Sequence, residues 1–398
     1  MSWKEISCVV RRLQFVKLAL KAQQSMSQLC RAFGLSRRNG YKWKARFERE
    51  GRAGLRDRSC RPHQSPRQTS AVWLGRIRRL RRRHRSWGSR KLAARLSKLY
   101  RHQTPPAART IGKWLKRMKL SRRGRRRSAQ GPSLSRSGLT VPKQSNQVWT
   151  VDFKGWFRTQ NGCRVEPLTV RDLFSRYLLG VCLLADQSWR PVRRVFLRLF
   201  RRYGYPQIIR VDNGGPFGST GPAGLSRLSA WWTAMGVEVQ FIAPGHPEQN
   251  GAHEQMHRVF KAETTRPSSR NVRAQQRRTR RWVRSYNQVR PHEALGQRPP
   301  REVYRTKGLS RRRKILPKDP PGSVRRQVRS NGQIKWRGRK RFVGEAFVGY
   351  SVGLKLLSKA KWRVHFAGLL IGELWESDQG ECGPLDIRAG FEFLALLG

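Results

Sequence analysis

Between Asn146 and Thr264 the chain alternates short apolar runs with longer amphipathic ones, and this alternation restricts the possible folds more than any other feature. The runs "QVWTVDFKGWF", "CRVEPLTVRDLF" and "RYLLGVCLLAD" are rich in β-branched and aromatic residues and joined by short connections, which predicts three strands in an antiparallel meander. "PVRRVFLRLFRRYG" then sets Val192, Val195, Phe196 and Leu199 on one helical face. The strand "PQIIRVD", the helix "LSRLSAWWTAMG", the strand "VEVQFIAP" and a helix from about Asn250 to Thr264 complete the order β-β-β-α-β-α-β-α. A meander followed by strand–helix alternation implies an α/β domain with a mixed sheet and helices packed on it. With the helical stretch that ends in "RPPREVY", this domain is expected over residues 146–306.

Carboxylates are scarce in this chain, so their positions carry information. Against 87 Lys and Arg stand only 23 Asp and Glu, of which eight are aspartates. Two of these, Asp152 in "WTVDF" and Asp212 in "IIRVDNG", interrupt or end strongly apolar strands. An unpaired charge buried there would cost several kcal/mol, so each requires a cationic neighbour, either arginine or a metal ion. In the expected topology the first meander strand and the strand after the first helix are neighbours, which brings both aspartates to one sheet edge. A glutamate from a later helix would complete an all-oxygen cluster suited to Mg²⁺ or Mn²⁺. Spacing from Asp212 favours Glu248, but "PGHPEQ" reads as a Pro/Gly loop. Glu254 falls in the first turns of a helix that Asn250 can cap, where the positive helix end keeps a carboxylate ionised. His257 and Lys261 lie at i+3 and i+7 from Glu254, a polar face available to DNA.

The flanking regions differ in texture. Over residues 1–65, "MSQLCRAFGLSRRNGYKWKARFERE" has the outline of a helix-turn-helix: Leu29 and Phe33 a turn apart, Gly34 at the bend, Ser36 capping a second helix with Tyr41, Trp43 and Phe47. Arg37, Arg38 and Lys42 at the start of that second helix would reach base edges and phosphates. A small bundle with a solvated basic face is the competing reading, and Asn39-Gly40 inside the helix counts in its favour. Residues 66–128 hold Trp73, Ile77 and Leu80, then Leu92, Leu96 and Leu99, then Ile111, Leu115 and Met118, three amphipathic helices able to share a core. They read as a second helix-turn-helix unit, with the helix from Ala107 contacting DNA, or as a packing adaptor. The Arg/Ser/Gly-rich stretch 129–145 is expected to be a basic linker. Over 307–376 apolar–polar alternation and the Asn331-Gly332 turn signal suggest a small β-barrel, and 377–398 is an irregular tail.

A formal net charge of +64 would repel itself unless a polyanion neutralised it, so double-stranded nucleic acid is the expected partner. No apolar run is long enough to span a bilayer and the N-terminus lacks a signal-peptide core, so a cytoplasmic, non-membrane protein is expected. The six cysteines form neither a CxxC pair nor a Cys/His cluster, which argues against a disulfide framework or structural zinc.

Taken together, "VWTVDFKGWF", "DNGGPF", "PGHPEQNGAHEQMHRVFK" and "YNQVRPHEALGQRPP" resemble the integrase-like DDE transposases of bacterial insertion sequences, relatives of retroviral integrases. The resemblance runs from about Gln28 to about Trp375. It implies a multidomain chain with N-terminal all-α helix-turn-helix units, a ribonuclease-H-like catalytic core and a small C-terminal β-barrel. It also implies Asp152, Asp212 and Glu254 as catalytic metal ligands, Asn213 and Gly214 shaping the turn after Asp212, and Arg290, Pro291 and His292 in a downstream motif. Gln255 departs from the pattern, which has arginine there. The implied activity is Mg²⁺-dependent cleavage at transposon ends and strand transfer into target DNA by phosphodiester transesterification, with the protein a homo-oligomer on DNA. The alternatives are a degenerate copy that only binds specific DNA, and a nuclease that cuts without joining.

Overall fold

In the computed structural model the described residues are 8–60, 69–121, 138–244, 246–306 and 318–375. Most of the expected basic linker and the whole of the expected tail lie outside them. The chain divides between Thr69 and Ser70 into two compact units.

The N-terminal unit is three helices, α1 (Cys8–Leu20), α2 (Met26–Ala32) and α3 (Arg37–Glu50), closed by a 3-10 turn at Gly51–Leu55. Ser25 starts α2 with a reciprocal cap: its hydroxyl accepts the Gln28 amide at 3.3 Å, and the Gln28 side chain accepts the Ser25 amide at 3.2 Å. Ser36 caps α3 by accepting the Asn39 amide, and Gly34, at φ +65°, makes the bend between the helices. Phe15, Val16, Leu29, Cys30, Trp43 and Leu55 form the core. Gly40, which weakened the helix reading in the sequence, is buried at the point where α3 meets α1 and α2. A Cβ there would lie 2.5 Å from Cys30 Sγ and 3.0 Å from Phe15 Cζ.

The larger unit begins with α4 (Ala71–Arg83), α5 (Ser89–Leu99) and α6 (Ala108–Arg117) around Ile77, Leu80, Trp87, Leu92, Leu96, Ile111 and Leu115. The buried Arg81 side chain ties this group together, donating to Trp87 O at 2.6 Å and to Leu120 O at 2.9 Å.

The mixed sheet follows. Its strands are β1 (Val148–Phe153), the two-residue β2 (Phe157–Arg158), β3 (Arg164–Asp172), β4 (Leu178–Leu184), β5 (Ile208–Val211) and β6 (Glu238–Phe241). β3 pairs antiparallel with β1, β2 and β4, while β1–β5 and β5–β6 are parallel. The expected neighbours β1 and β5 do lie side by side, and β2 is the one strand the sequence pattern did not separate from β1. Helices α7 (Trp189–Tyr203) and α8 (Arg227–Ala234) pack with Trp149, Val151, Leu168, Val170 and Ile209 in one core. Helices α9 (Gly251–Thr264) and α10 (Val272–Gln288) pack with Leu178 and Val181 in another. Because strand side chains alternate between faces, Thr150 and Asp152 of β1 and Thr169 and Arg171 of β3 project to the α9 side. The helical turn α11 (Pro300–Val303) brings Tyr304 back into the larger core.

The expected C-terminal barrel is not what the described strands form. β7 (Val324–Gln327), β10 (Ser351–Ser358), β11 (Lys361–Phe366) and β12 (Leu369–Trp375) make an antiparallel sheet in the order β12-β11-β10-β7. β8 (Gln333–Trp336) and β9 (Arg339–Phe342) pair only with each other. Alternation specifies strands but not closure: β12 and β7 end at opposite edges, and no ladder among the described residues joins them. Asn331-Gly332 is a tight turn, with Arg329 N donating to Gln333 O at 2.9 Å, but the paired β8–β9 hairpin turns instead at Arg337-Gly338, both at positive φ.

Candidate metal centre

Asp152 occupies the fifth position of β1, opposite Thr169 of β3, and Asp212 follows the last residue of the adjacent parallel strand β5. Parallel alignment of β1 and β5 therefore brings both carboxylates to the same end of the sheet. Glu254 sits in the first turn of α9 and is exposed. The electrostatics register this gathering. Burial pushes the Asp152 carboxyl up to about 7, the charge of Asp212 adds to the push, and Glu254 contributes a smaller repulsion, against the Phe153 amide and Lys154. Burial likewise raises Asp212, opposed by backbone amides, and Asp212 Oδ1 is buried without a hydrogen-bond partner.

Several groups that the sequence reading passed over or gave another role surround Asp152. Asn250, expected as a helix cap, makes no cap hydrogen bond. The 3-10 turn Pro247–Asn250 leads directly into α9, so the Asn250 backbone is not extended, and the Asn250 side-chain Nδ2 donates instead to Asp152 Oδ2 at 3.3 Å. Lys154, two residues past Asp152, has its ammonium lowered by burial and by repulsion from Lys261, against the attraction of Asp152.

His257 corrects an expectation. Predicted on an outward polar face with Lys261, it is only 6% exposed, whereas Lys261 is exposed. Its Nε2 lies 2.7 Å from Thr169 Oγ1 and its Nδ1 lies 3.7 Å from Asp152 Oδ2. His253, fully buried one turn earlier, places Nε2 at 2.6 Å from the same Thr169 hydroxyl and Nδ1 at 3.0 Å from Thr150 Oγ1. Burial, then Lys154 and Arg171, lowers His257 to about 3, and burial followed by Arg171 lowers His253 well below its ordinary value, so both rings are neutral near pH 7. Buried Arg171 donates to Ala252 O at 2.6 Å and holds the start of α9 on the sheet. The signals for this arrangement were present in the sequence: two histidines four apart on one helix, and threonines within apolar strands on the same face as Asp152.

In the N-terminal unit Arg37, Arg38 and Lys42 are exposed along α3, with Lys42 Nζ 5.1 Å from the centre of the Trp43 ring. On α6, Arg109, Lys113, Lys116 and Arg117 are exposed opposite buried Ile111 and Leu115.

A mixed six-strand sheet carrying paired aspartates at adjacent parallel strand ends, with helices on both faces, defines the class: an integrase core of ribonuclease-H-like fold that follows a helix-turn-helix region in the chain. Comparison with known proteins agrees. Residues 142–247 and 235–300 each match an integrase core domain, 11–63 a helix-turn-helix domain and 39–115 a homeodomain-like domain. The chain is 34% identical over 185 residues to the insertion element IS407 uncharacterized 31.7 kDa protein of Burkholderia multivorans, covering 45% of this chain and 62% of that one. It is 32% identical over 192 residues to the insertion element IS476 uncharacterized 39.2 kDa protein of Xanthomonas euvesicatoria, covering 46% and 52%. It therefore spans between about half and about three fifths of the length of these relatives. Among solved structures, the HTLV-2 integrase catalytic core domain in complex with magnesium aligns at 14% identity and TM-score 0.33 over 42% of this chain and all of that one. The BIV integrase catalytic core domain aligns at 17% and 0.31 over 40% and 93%. The chain thus carries integrase core and helix-turn-helix domains and is similar to proteins of insertion elements, in line with the resemblance its motifs carry.

Proposed function

We propose that the chain is a divalent-cation-dependent polynucleotidyl transferase that cuts DNA at the ends of an insertion element and joins the freed 3′-hydroxyl to target DNA. The observation that carries this reading is the gathering of Asp152, Asp212 and Glu254, remote in sequence, where Asp152 feels the charge of both others. The donor set fits a hard cation: all three ligands offer carboxylate oxygens, and Asp212 Oδ1 is buried with nothing to satisfy it. When bound, a pair of Mg²⁺ or Mn²⁺ ions supplies the charge that activates an attacking oxygen and steadies a leaving one in phosphoryl transfer.

The chain's own residues do the rest. Asp152, Asp212 and Glu254 hold the cations, and Asn250 orients the Asp152 carboxylate. Lys154, beside Asp152, and the exposed Lys261, which lies near enough to Lys154 to repel it, draw the DNA backbone toward the cluster. Arg37, Arg38 and Lys42 on α3 bind duplex DNA, with residues 1–65 and 66–128 serving as DNA-binding domains and 146–306 as the catalytic domain. Acting on two ends at once requires at least two copies on the DNA.

The test is incubation of purified protein with labelled element-end duplex and Mg²⁺. Joined product supports the proposal, nicks alone make the chain a nuclease, and binding without cleavage makes it a DNA-binding copy. Asp152→Asn, Asp212→Asn and Glu254→Gln should each keep end binding and lower turnover by on the order of 10³-fold or more. Loss of binding in Asp152→Asn would refute the assignment.

A further inference from the structure

The hydrogen bonds around Thr169 determine which atom His257 turns toward the acidic cluster. The Thr169 hydroxyl has one proton and two lone pairs, and three partners: Asp152 O at 2.9 Å, His253 Nε2 at 2.6 Å and His257 Nε2 at 2.7 Å. A backbone carbonyl oxygen can only accept. The single arrangement that satisfies all three contacts therefore has Thr169 donating to Asp152 O and accepting a proton from Nε2 of each histidine. The Thr150 hydroxyl, 3.0 Å from His253 Nδ1 and at the longer distance of 3.5 Å from Arg171 O, then gives its proton to the nearer ring nitrogen, so both His253 nitrogens face threonine hydroxyls.

In this tautomer the neutral His257 ring carries a lone pair on Nδ1. That nitrogen is 3.7 Å from Asp152 Oδ2, too far for a hydrogen bond, so the two atoms face each other without being paired and could both turn to one cation. Asp152, His253 and His257 offer ligand atoms within 4.8 Å of one another. Because His253 has both nitrogens engaged with threonines, His257 is the ring with an atom to give. Its partner hydrogen bond through Nε2 is the kind of support that fixes a ligating imidazole.

We infer that His257 Nδ1 is a nitrogen ligand beside Asp152, so that the site takes transition-metal ions, which accept imidazole more readily than Mg²⁺ does, with Mn²⁺ the member of that class that reports its ligands by spin resonance. The inference rests on the proposed metal-dependent reading and deepens it, since a nitrogen donor shifts preference from Mg²⁺, which takes all-oxygen sites, toward transition-metal ions.

Electron spin-echo envelope modulation of the full chain loaded with Mn²⁺ tests this directly. A nitrogen modulation from a coordinated imidazole is expected. It should vanish in His257→Gln while persisting in His253→Gln, and His257→Gln should weaken Mn²⁺ binding by roughly tenfold with less effect on Mg²⁺. Asp152→Asn marks the location of the ion. Mn²⁺ bound in an Asp152-dependent manner without nitrogen modulation would overturn the role of His257 and leave the transferase reading intact. No Asp152-dependent binding of Mn²⁺ would overturn both. The wild-type spectrum decides the first question even if His257→Gln folds poorly.

Discussion

Burial keeps several histidines in this chain neutral, and the proton they refuse is the residue-level source of acid sensitivity. His84 stacks on Trp87 with ring centres 3.8 Å apart and is lowered to about 4, chiefly by burial and then by Arg83. His292, against Tyr286, is lowered to about 3 by burial, with Lys91 and Arg290 adding. The ordinary value is 6.5, so above that pH both rings are neutral folded or unfolded and their contribution is intact. As pH falls below it, the unfolded chain takes up protons that the fold refuses, and stability declines toward the folded values. Urea denaturation between about pH 7 and about pH 4 should reveal this slope, and His84→Gln and His292→Gln should each flatten it by up to about one proton. An unchanged slope in both variants would show that neither ring is buried as described.

The same scale shows how far local pattern reaches. Asp152 and Asp212 were conspicuous because a charge in an apolar strand is conspicuous. His257 was misplaced because helical spacing gives a residue's neighbours on the helix but not which face meets the sheet. Thr150 and Thr169 attracted no notice, since a threonine in a strand is ordinary until a second element brings a ring to its hydroxyl.

At the level of elements, α3 illustrates a conflict between propensity and packing. Glycine inside a helix costs about 1 kcal/mol relative to alanine, so Gly40→Ala in isolation should stabilise. In the folded unit the added methyl meets Cys30 Sγ at 2.5 Å and Phe15 Cζ at 3.0 Å. Overpacking of this kind costs about 1–3 kcal/mol, and the net effect should be destabilisation of the N-terminal unit by up to about 2 kcal/mol in chemical denaturation, with weaker DNA binding through α3. A stabilised Gly40→Ala would mean that α3 does not approach α1 and α2 this closely. Serine caps and the Gly34 bend were legible because they act within a few residues; the need for glycine at 40 was not, because the atoms that demand it are ten and twenty-five residues away.

For the larger unit as a whole, Glu263 near the end of α9 joins three segments. It accepts from Arg290 Nη1 at 2.9 Å, from Trp282 Nε1 at 2.7 Å and from the Ser86 hydroxyl in the loop between α4 and α5. Burial pushes its carboxyl up, but Arg290 and these donors outweigh it and hold the group below the usual range. Arg290 is 7% exposed as a side chain, so Glu263→Ala strands a buried cation and should cost about 2–4 kcal/mol in equilibrium unfolding, with Glu263→Gln costing less. Equal stability of Glu263→Ala and the wild type would rule out this junction. Charge acts at the same scale. With a net +64, affinity for any duplex should fall by on the order of 10³-fold or more between about 50 and about 200 mM salt, measured by fluorescence anisotropy. A flat salt response would sink the polyanion argument.

The order and kind of elements, the integrase core among them, could be read from the sequence alone, because period and turn chemistry are properties of neighbouring residues. So could the pairing of β1 with β5, which follows from a meander continued by strand–helix alternation. Only the tertiary structure decided that the C-terminal strands stay an open sheet, that Asn250 reaches Asp152 instead of capping α9, and that His253 and His257 turn inward onto Thr169. Each of these depends on contacts between segments far apart in the chain. Local pattern is silent there because the partner atoms, and the burial that sets their charge, exist only once the sheet and α9 have packed.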